Sequence, residues 1–311
     1  MDRQALLSNC RLCPRDCGID RRKTKGFCGE TDKLRIARWG RHKWEEPCIS
    51  GESGSGTVFF CGCSLKCIFC QNFQISQGDT GYEITEDELA YIFLQLQEKG
   101  VNNINLVSPT HFVPQILGAL DRIKDRLKIP VVYNCGGYEK PETIRLLKGY
   151  VDIFLPDLKY FDSGLSFKYS RAKDYYEHAI SSIKEMVDIA GKPELDENGI
   201  MKKGVIVRHL VLPGARHDSI KLMHMLGESF KKDEIMISLM SQFTPTPNCK
   251  GIKELSRKTT TFEYQSVIKE ANEYGFDGFI QQRDSAKDEY IPQFFNDKKV
   301  TDNKLLLTKS K

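Results

Sequence analysis

Two groups of cysteines carry most of the chemistry that this sequence could perform. The chain has 311 residues and 11 cysteines, and seven of these cysteines fall into two short groups. The total is odd, and no apolar signal segment opens the sequence, so structural disulfides are the poorer interpretation. We therefore expect the two groups to bind metal ions or iron–sulfur clusters.

The central group is Cys63, Cys67 and Cys70, a C-x3-C-x2-C spacing directly after a predicted strand. Such close spacing allows three thiolates to bind one compact 4Fe–4S cluster. Three protein ligands leave one iron with an open coordination position, which is typical of a reactive site. The alternative is a zinc loop, for which Cys61 would supply the fourth ligand.

The N-terminal group lies on a short, basic segment with little periodic pattern, and its members are Cys10, Cys13, Cys17 and Cys28. A segment of this size cannot bury enough core alone, so a bound metal would contribute to its folding. Structural zinc and a second iron–sulfur cluster both fit four thiolates. The spacing differs from that of ferredoxins. We favour zinc or a structural cluster over an electron relay.

Short apolar segments alternate with helical stretches along most of the chain and predict parallel strands. The predicted strands are residues 57–62, 103–107, 130–134, 152–155, 204–212, 235–240 and 276–280. A helix over 85–99 is indicated by Thr85 and Glu88, which form a capping box. This α/β alternation predicts an incomplete barrel or an open doubly wound sheet. No G-x-G-x-x-G follows the first strand, which argues against a dinucleotide-binding domain.

The composition predicts a globular chain with three parts. We expect a Cys-rich metal-binding lobe over residues 1–50, a barrel over 51–283 and a charged tail over 284–311. The net charge of +4 is mild, so nucleic acid is not an expected partner. No stretch is apolar enough to span a membrane, and we expect the protein in the cytoplasm.

The chain resembles a known family in the central cysteine motif and in several further segments. C-x3-C-x2-C with Phe69 before the last cysteine is similar to the signature of radical S-adenosylmethionine (SAM) enzymes. Residues 44–51, 54–57, 70–72, 107–114, 133–138 and 157–160 resemble the PflX-like homologues of pyruvate formate-lyase activating enzyme. The resemblance implies a partial (β/α)6 TIM-type barrel, a 4Fe–4S cluster and SAM as the second cofactor.

The same resemblance implies a SAM pocket at the C-terminal ends of the strands. The usual Gly-Gly-Glu is replaced here by residues 108–111, where we expect Thr110 first and Ser108 second to contact the SAM ammonium, and His111 to face the substrate or be structural. The other implied pocket residues are Asn134, Cys135, Asp157, Lys159, Arg208 and Gln242. The plain alternatives are a turn for Asn134 and Cys135, a salt bridge for Asp157 and Lys159, and a buried structural arginine for Arg208.

In radical SAM enzymes, reductive cleavage of SAM gives methionine and a 5′-deoxyadenosyl radical that abstracts hydrogen. The resemblance implies an oxidoreductase of this kind, with a glycyl radical enzyme as the substrate and a flavodoxin or ferredoxin as the electron donor. Modification of RNA or of a small molecule is an alternative within the same chemistry. A zinc-containing RNA-binding protein is an alternative from a different class.

Overall fold

The computed structural model describes residues 3–281, and all statements below refer to them. The strands are β1 (Arg35–His42), β2 (Ser55–Phe60), β3 (Tyr82–Glu83), β4 (Ile104–Val107), β5 (Val131–Cys135), β6 (Ile153–Pro156), β7 (Glu194–Leu195), β8 (Met201–Leu210), β9 (Met236–Met240) and β10 (Gly278–Ile280). The helices are α1 (Arg3–Ser8), α2 (Pro47–Ser50), α3 (Phe73–Ser76), α4 (Glu86–Glu98), α5 (Val113–Asp121), α6 (Pro141–Arg145), α7 (Ser163–Ser170), α8 (Tyr175–Ala190), α9 (Arg216–Ser229) and α10 (Thr261–Glu273).

The strands form one open sheet in the order β10-β9-β8-β6-β5-β4-β2-β1-β3, with β7 paired to β8. From β2 to β10 every neighbouring pair along this path is parallel. Their spatial order follows their order in the chain. Right-handed crossovers in such an order place the helices on one face and leave the other face as a barrel interior. The sheet is an incomplete barrel, which confirms the predicted fold class.

Alternation along each strand separates the two faces of the sheet. Leu106 and Phe154 point to the helix layer and belong to the large apolar core. Val132, Ile153 and Leu155 point inward and pack with Ile49 of α2 in the barrel interior. Successive side chains of a strand point to opposite faces, so the interior face continues towards the C-terminal strand ends through Asn134, Arg208 and Met240.

Local signals place several elements where the sequence predicts them. Helix α4 begins after Thr85, whose side chain caps the helix together with Glu88 in the predicted capping box. The seven predicted strands are present with ends shifted by no more than a few residues.

The structure bears on the two ends of the predicted domain division. Strand β1 falls inside the segment predicted as the N-terminal lobe, but it pairs with β2 and extends the barrel sheet. The boundary at residue 50 stays a prediction. The predicted tail, residues 284–311, lies outside the described residues. Among the helices of residues 3–281, none has the length and apolarity that crossing a bilayer requires.

Gly137 and Gly149 have the same left-handed backbone, with φ of +80°, in different surroundings. A Cβ on Gly137 would lie 2.0 Å from the carbonyl oxygen of Asp157, whereas a Cβ on Gly149 would have no neighbour within 4 Å. We predict that Gly149→Ala lowers the free energy of unfolding by about 1 kcal/mol. Gly137→Ala should lower it by at least ~3 kcal/mol, since the strand ends must also separate. Urea denaturation of both variants measures this; equal losses would contradict the prediction.

Candidate active site

A cavity opens at the C-terminal ends of the parallel strands, where α/β folds place their functional groups. The cavity is lined by side chains from the central cysteine loop and from the strand ends. They include Cys63, Cys67, Cys70, Ser108, Asn134, Asp157, Lys159, Arg208 and Gln242. The structure therefore brings most of the predicted site residues together.

The three cysteines of the central group lie on one wall of this cavity with free thiols. Each sulfur is within reach of a hydrogen-bond donor. The Leu65 amide is 3.4 Å from Cys63 Sγ, the Ser76 hydroxyl 3.4 Å from Cys70 Sγ and the Ser170 hydroxyl 2.8 Å from Cys67 Sγ. Burial raises the pKa of the Cys67 and Cys70 thiols, and the Ser170 and Ser76 hydroxyls act against it by favouring the thiolate form that iron requires.

The donor set fits a 4Fe–4S cluster. It consists of soft thiolates with hydrogen-bond support, at the edge of a cavity that gives an open coordination position room for a ligand. Within residues 3–281 no three His, Cys, Asp or Glu side chains surround a common point as ligands of one metal ion would. A cluster does not need such a point, because each thiolate binds a different iron.

A buried guanidinium organises the floor of the cavity. Arg208 Nε donates to Asp157 Oδ1 at 2.8 Å, and its Nη2 donates to Asn134 Oδ1 at 2.6 Å. Its Nη1 lies 3.3 Å from Glu45 Oε2. These contacts join the ends of β5, β6 and β8 to the segment after β1. The alignment of a charged fork with carboxylate and amide oxygens makes them strong hydrogen bonds.

Asp157 and Lys159 alternate at the end of β6 and therefore point the same way. Lys159 Nζ lies 2.5 Å from Asp157 Oδ2. Burial acts to raise the pKa of Asp157, but the charges of Arg208 and Lys159 outweigh it and hold that pKa below its ordinary value. Asp157 is thus a carboxylate at neutral pH. The Lys159 charge also acts on the thiol of Cys67, which links this pair to the cysteine wall.

The predicted SAM contacts on β5 separate into two faces. Asn134 points into the cavity. Cys135 borders the cavity through its backbone, but its side chain lies on the opposite face of the strand, within the helix-layer core and in contact with Glu139. The geometry therefore supports Asn134 rather than Cys135 as a residue that could touch a ligand.

The residues after β4 also lie in two different surroundings. Ser108 lines the cavity with a left-handed φ of +57°, and non-glycine residues in this conformation cluster at ligand sites. Thr110 is buried away from the cavity, and its hydroxyl donates to Glu139 Oε1 at 2.6 Å. His111 Nε2 bonds to the Cys61 carbonyl oxygen at 2.6 Å, and burial lowers the pKa of this histidine to about 3. The structure favours Ser108 over Thr110 for a ligand contact, and the structural alternative for His111.

Sequence reasoning missed His42, Trp44 and Glu45 as cavity residues. All three line the cavity. Strand β1 runs antiparallel to β2 and places His42 opposite Ser55, so the segment after β1 starts at the N-terminal end of β2 and reaches the cavity from the barrel interior, where Ile49 packs. The Glu45 carboxylate accepts a hydrogen bond from Asn105 Nδ2 at 3.0 Å. The signal was weak, since Gly40 and two arginines interrupt the apolar pattern of this strand.

The N-terminal cysteines lie together in the segment before β1. Cys10, Cys13 and Cys28 are buried, Cys17 is partly exposed, and all four are free thiols. The thiols of Cys28 and Cys10 are near enough to Cys13 to act on its ionisation. A metal or cluster at these four residues stays a prediction at this point, and zinc is not shown.

With this geometry established, comparison with known proteins identifies the family. Residues 57–226 match the Radical SAM superfamily. The chain belongs to the radical SAM superfamily. This family implies a 4Fe–4S cluster and SAM, and it makes the chain an enzyme of that kind.

The proteins that resemble this radical SAM chain are distant from it in sequence. An uncharacterised protein of Methanocaldococcus jannaschii is 29% identical over 282 residues, which cover 88% of this chain and 77% of that protein. A radical SAM methyltransferase from Sphaerobacter thermophilus has a TM-score of 0.51 at 15% identity, covering 72% of this chain and 65% of the other. Streptococcus suis SuiB bound to S-adenosylmethionine has a TM-score of 0.50 at 15% identity and covers 71% of this chain. The match takes in only 48% of SuiB.

Glu139 provides a test of the buried network behind this site. Its carboxyl group is buried with Thr110 and Tyr133, and this burial raises its pKa to about 8. The folded chain therefore holds the proton of Glu139 more tightly than the unfolded chain. The stabilisation that this proton contributes is complete below about pH 5 and is lost as the pH rises to about 8. We predict that the wild type loses on the order of 3 kcal/mol of unfolding free energy between pH 5 and pH 8. The Glu139→Gln variant, which has no carboxyl group to titrate, should not show this loss.

Urea denaturation at pH 5 and pH 8 measures the difference. The exposed carboxyl of Glu142 on the neighbouring helix supplies the control, and Glu142→Gln should follow the wild-type profile. Parallel profiles for the Glu139→Gln variant and the wild type would show that Glu139 does not titrate as proposed.

Proposed function

We propose that this radical SAM enzyme binds its cluster through Cys63, Cys67 and Cys70 and abstracts a hydrogen atom from a substrate at the cavity mouth. One observation carries the proposal: the cysteine wall and the charged network of Asp157, Lys159 and Arg208 face the same cavity. When bound, the cluster and SAM supply one-electron cleavage of SAM to methionine and a 5′-deoxyadenosyl radical.

The residues of this chain hold and orient the amino-acid part of SAM in the proposal. That part carries an ammonium and a carboxylate, and the cavity offers groups of both signs. Asp157 is ionised and can accept from an ammonium, while Lys159 can donate to a carboxylate. Asn134 and Ser108 add neutral partners on the adjacent strands. The solved structure of SuiB with S-adenosylmethionine supports SAM binding by this fold.

Apolar side chains in the cavity lining would keep water away from the bound cofactor. Phe59, Leu65, Val107 and Met240 line the cavity beside the charged groups. A site that is apolar at its walls and polar at a few fixed points is typical of cofactor binding. It also protects a reactive radical from side reactions.

The finer assignment is a PflX-like oxidoreductase related to pyruvate formate-lyase activating enzymes. The segments from Trp44, from Ser108 and from Asp157 that carry this resemblance all border the cavity, which supports it. A glycyl radical enzyme as the substrate, and flavodoxin or ferredoxin as the donor, follow from the same resemblance. Family membership favours the enzyme over a zinc-containing RNA-binding protein.

The first experiment tests the chemistry. After anaerobic reconstitution and reduction, the wild type should convert SAM to 5′-deoxyadenosine, and Cys67→Ala should abolish this because the cluster loses a ligand. Cys249→Ala is the matched control, since this buried thiol lies 3.8 Å from the Ile68 carbonyl oxygen of the same loop but outside the group. Chromatography of the product decides. An iron-loaded wild type that yields none would overturn the proposal.

The second experiment tests the pocket. Arg208→Lys retains a charge but loses the fork that bonds Asp157 and Asn134, so SAM should bind roughly tenfold more weakly or worse. Arg257→Lys is the control, because Arg257 makes a similar fork to Glu263 outside the cavity lining. Equilibrium dialysis with labelled SAM measures both. Equal affinities would place Arg208 in a purely structural role.

A further inference from the structure

Two of the N-terminal cysteine sulfurs lie beside the same glycine. Gly26 lies among them, and a Cβ added to it would be 3.4 Å from Cys28 Sγ and 3.8 Å from Cys17 Sγ. Both sulfurs therefore face the same point on the backbone. Cys10 and Cys28 both lie close enough to Cys13 to act on its charge. The four free thiols of this segment, called the cradle below, are the candidate ligands of a metal centre.

The segment that carries these thiols has no regular structure to hold it. Between α1 and β1, residues 9–34 contain only turns and bends. A few backbone hydrogen bonds close the loops, such as those from Cys10 to Ile19 and from Gly18 to Cys10. A loop-rich segment that nonetheless buries three thiols is typical of one folded around a metal. Thiolates without other ligand types select zinc or iron–sulfur clusters.

The position of the segment distinguishes between these two occupants. The Cys63 amide, in the catalytic loop, donates to the Cys28 carbonyl oxygen at 3.2 Å. A ligand of one group is thus hydrogen-bonded to a ligand of the other. On the far side, Cys17 is partly exposed. The cradle lies between solvent and the catalytic cluster.

A second connection runs through Arg15, two residues after Cys13. Its guanidinium donates to the carbonyl oxygens of Ser64, at 2.7 Å, and Ser170, at 2.9 Å. The Ser170 hydroxyl in turn bonds to Cys67 Sγ. The N-terminal segment is therefore held firmly against the loop that carries the catalytic cysteines. Structural zinc needs no such placement, whereas an electron relay does.

We propose that Cys10, Cys13, Cys17 and Cys28 hold a redox-active iron–sulfur cluster that passes single electrons to the cluster on Cys63, Cys67 and Cys70. The use of the transferred electron rests on the proposed function, but the presence of a second cluster does not. A one-electron protein donor is oxidised at the exposed side near Cys17. The N-terminal cluster gains that electron and loses it to the catalytic cluster, and no bond or proton moves in the transfer.

Metal content gives the first test. Full-length protein reconstituted anaerobically should contain about eight irons per chain and no zinc, and a Cys10→Ser/Cys17→Ser variant should contain about four. Cys48→Ala is the matched control, since Cys48 is buried in the barrel interior outside both groups, and it should keep about eight. One zinc and about four irons in the wild type would overturn the proposal.

Electron transfer gives the second test. Reduced flavodoxin, which is too large to enter the cavity, is mixed with SAM-loaded protein, and electron paramagnetic resonance follows the catalytic cluster. The double variant should be reduced at least about tenfold more slowly than the wild type and the Cys48→Ala control. Equal rates with about eight irons in the wild type would overturn the relay.

If the double variant fails to fold, a measurement on the wild type alone still tests the proposal. With both clusters reduced, two neighbouring spins should broaden each other's resonance signals, and partial reduction should remove the broadening. Independent, unbroadened signals would count against the proposal. If two coupled clusters form but no 5′-deoxyadenosine appears, the proposed function fails and this inference stands.

Discussion

The arrangement of the cavity depends on one buried guanidinium. Arg208 reaches from β8 to Asp157 after β6, to Asn134 on β5 and to Glu45 after β1. A charge taken out of water is stable only when such partners surround it, and the loss of any one partner leaves the others buried and unpaired. The strand ends are therefore held at fixed separations. The polar face that a zwitterionic ligand would meet is formed before any ligand arrives.

The same strand ends carry two networks of opposite character. Inside the barrel, Asp157 is held ionised by its neighbours. Behind β5, Glu139 is buried without a cation among its hydrogen-bond partners, and its pKa is raised to about 8. Alternation along one strand separates these environments, because Asn134 and Cys135 point to opposite faces. The inner network faces the cavity, and the outer one ties Thr110, two residues after the left-handed Ser108, to Glu139.

The N-terminal segment and the catalytic loop form one structural unit. Arg15 spans the carbonyl oxygens of both the loop and α7, stacks 4.0 Å from the Phe27 ring and so fixes the segment on the barrel. A metal centre bound by the N-terminal cysteines would therefore be held against the loop that carries Cys63, Cys67 and Cys70. This connection distinguishes the chain from a barrel with an independent metal-binding appendage. Radical SAM chemistry belongs to the family, whereas this connection was found in the contacts of this chain.

The sequence by itself determined the class of the fold and the radical SAM family. Continuous apolar strands, a capping box at Thr85 and C-x3-C-x2-C depend on neighbours in the chain, so they can be read locally. The sequence did not reveal β1, whose pattern is interrupted at Gly40, nor His42 and Glu45 in the cavity lining. It ranked Thr110 above Ser108 and grouped Cys135 with Asn134. Only the tertiary structure decided these, because the face a side chain occupies at a strand end depends on register and on contacts from distant segments. The placement of Cys28 against Cys63 was decided in the same way, by a hydrogen bond between residues 35 positions apart in the chain.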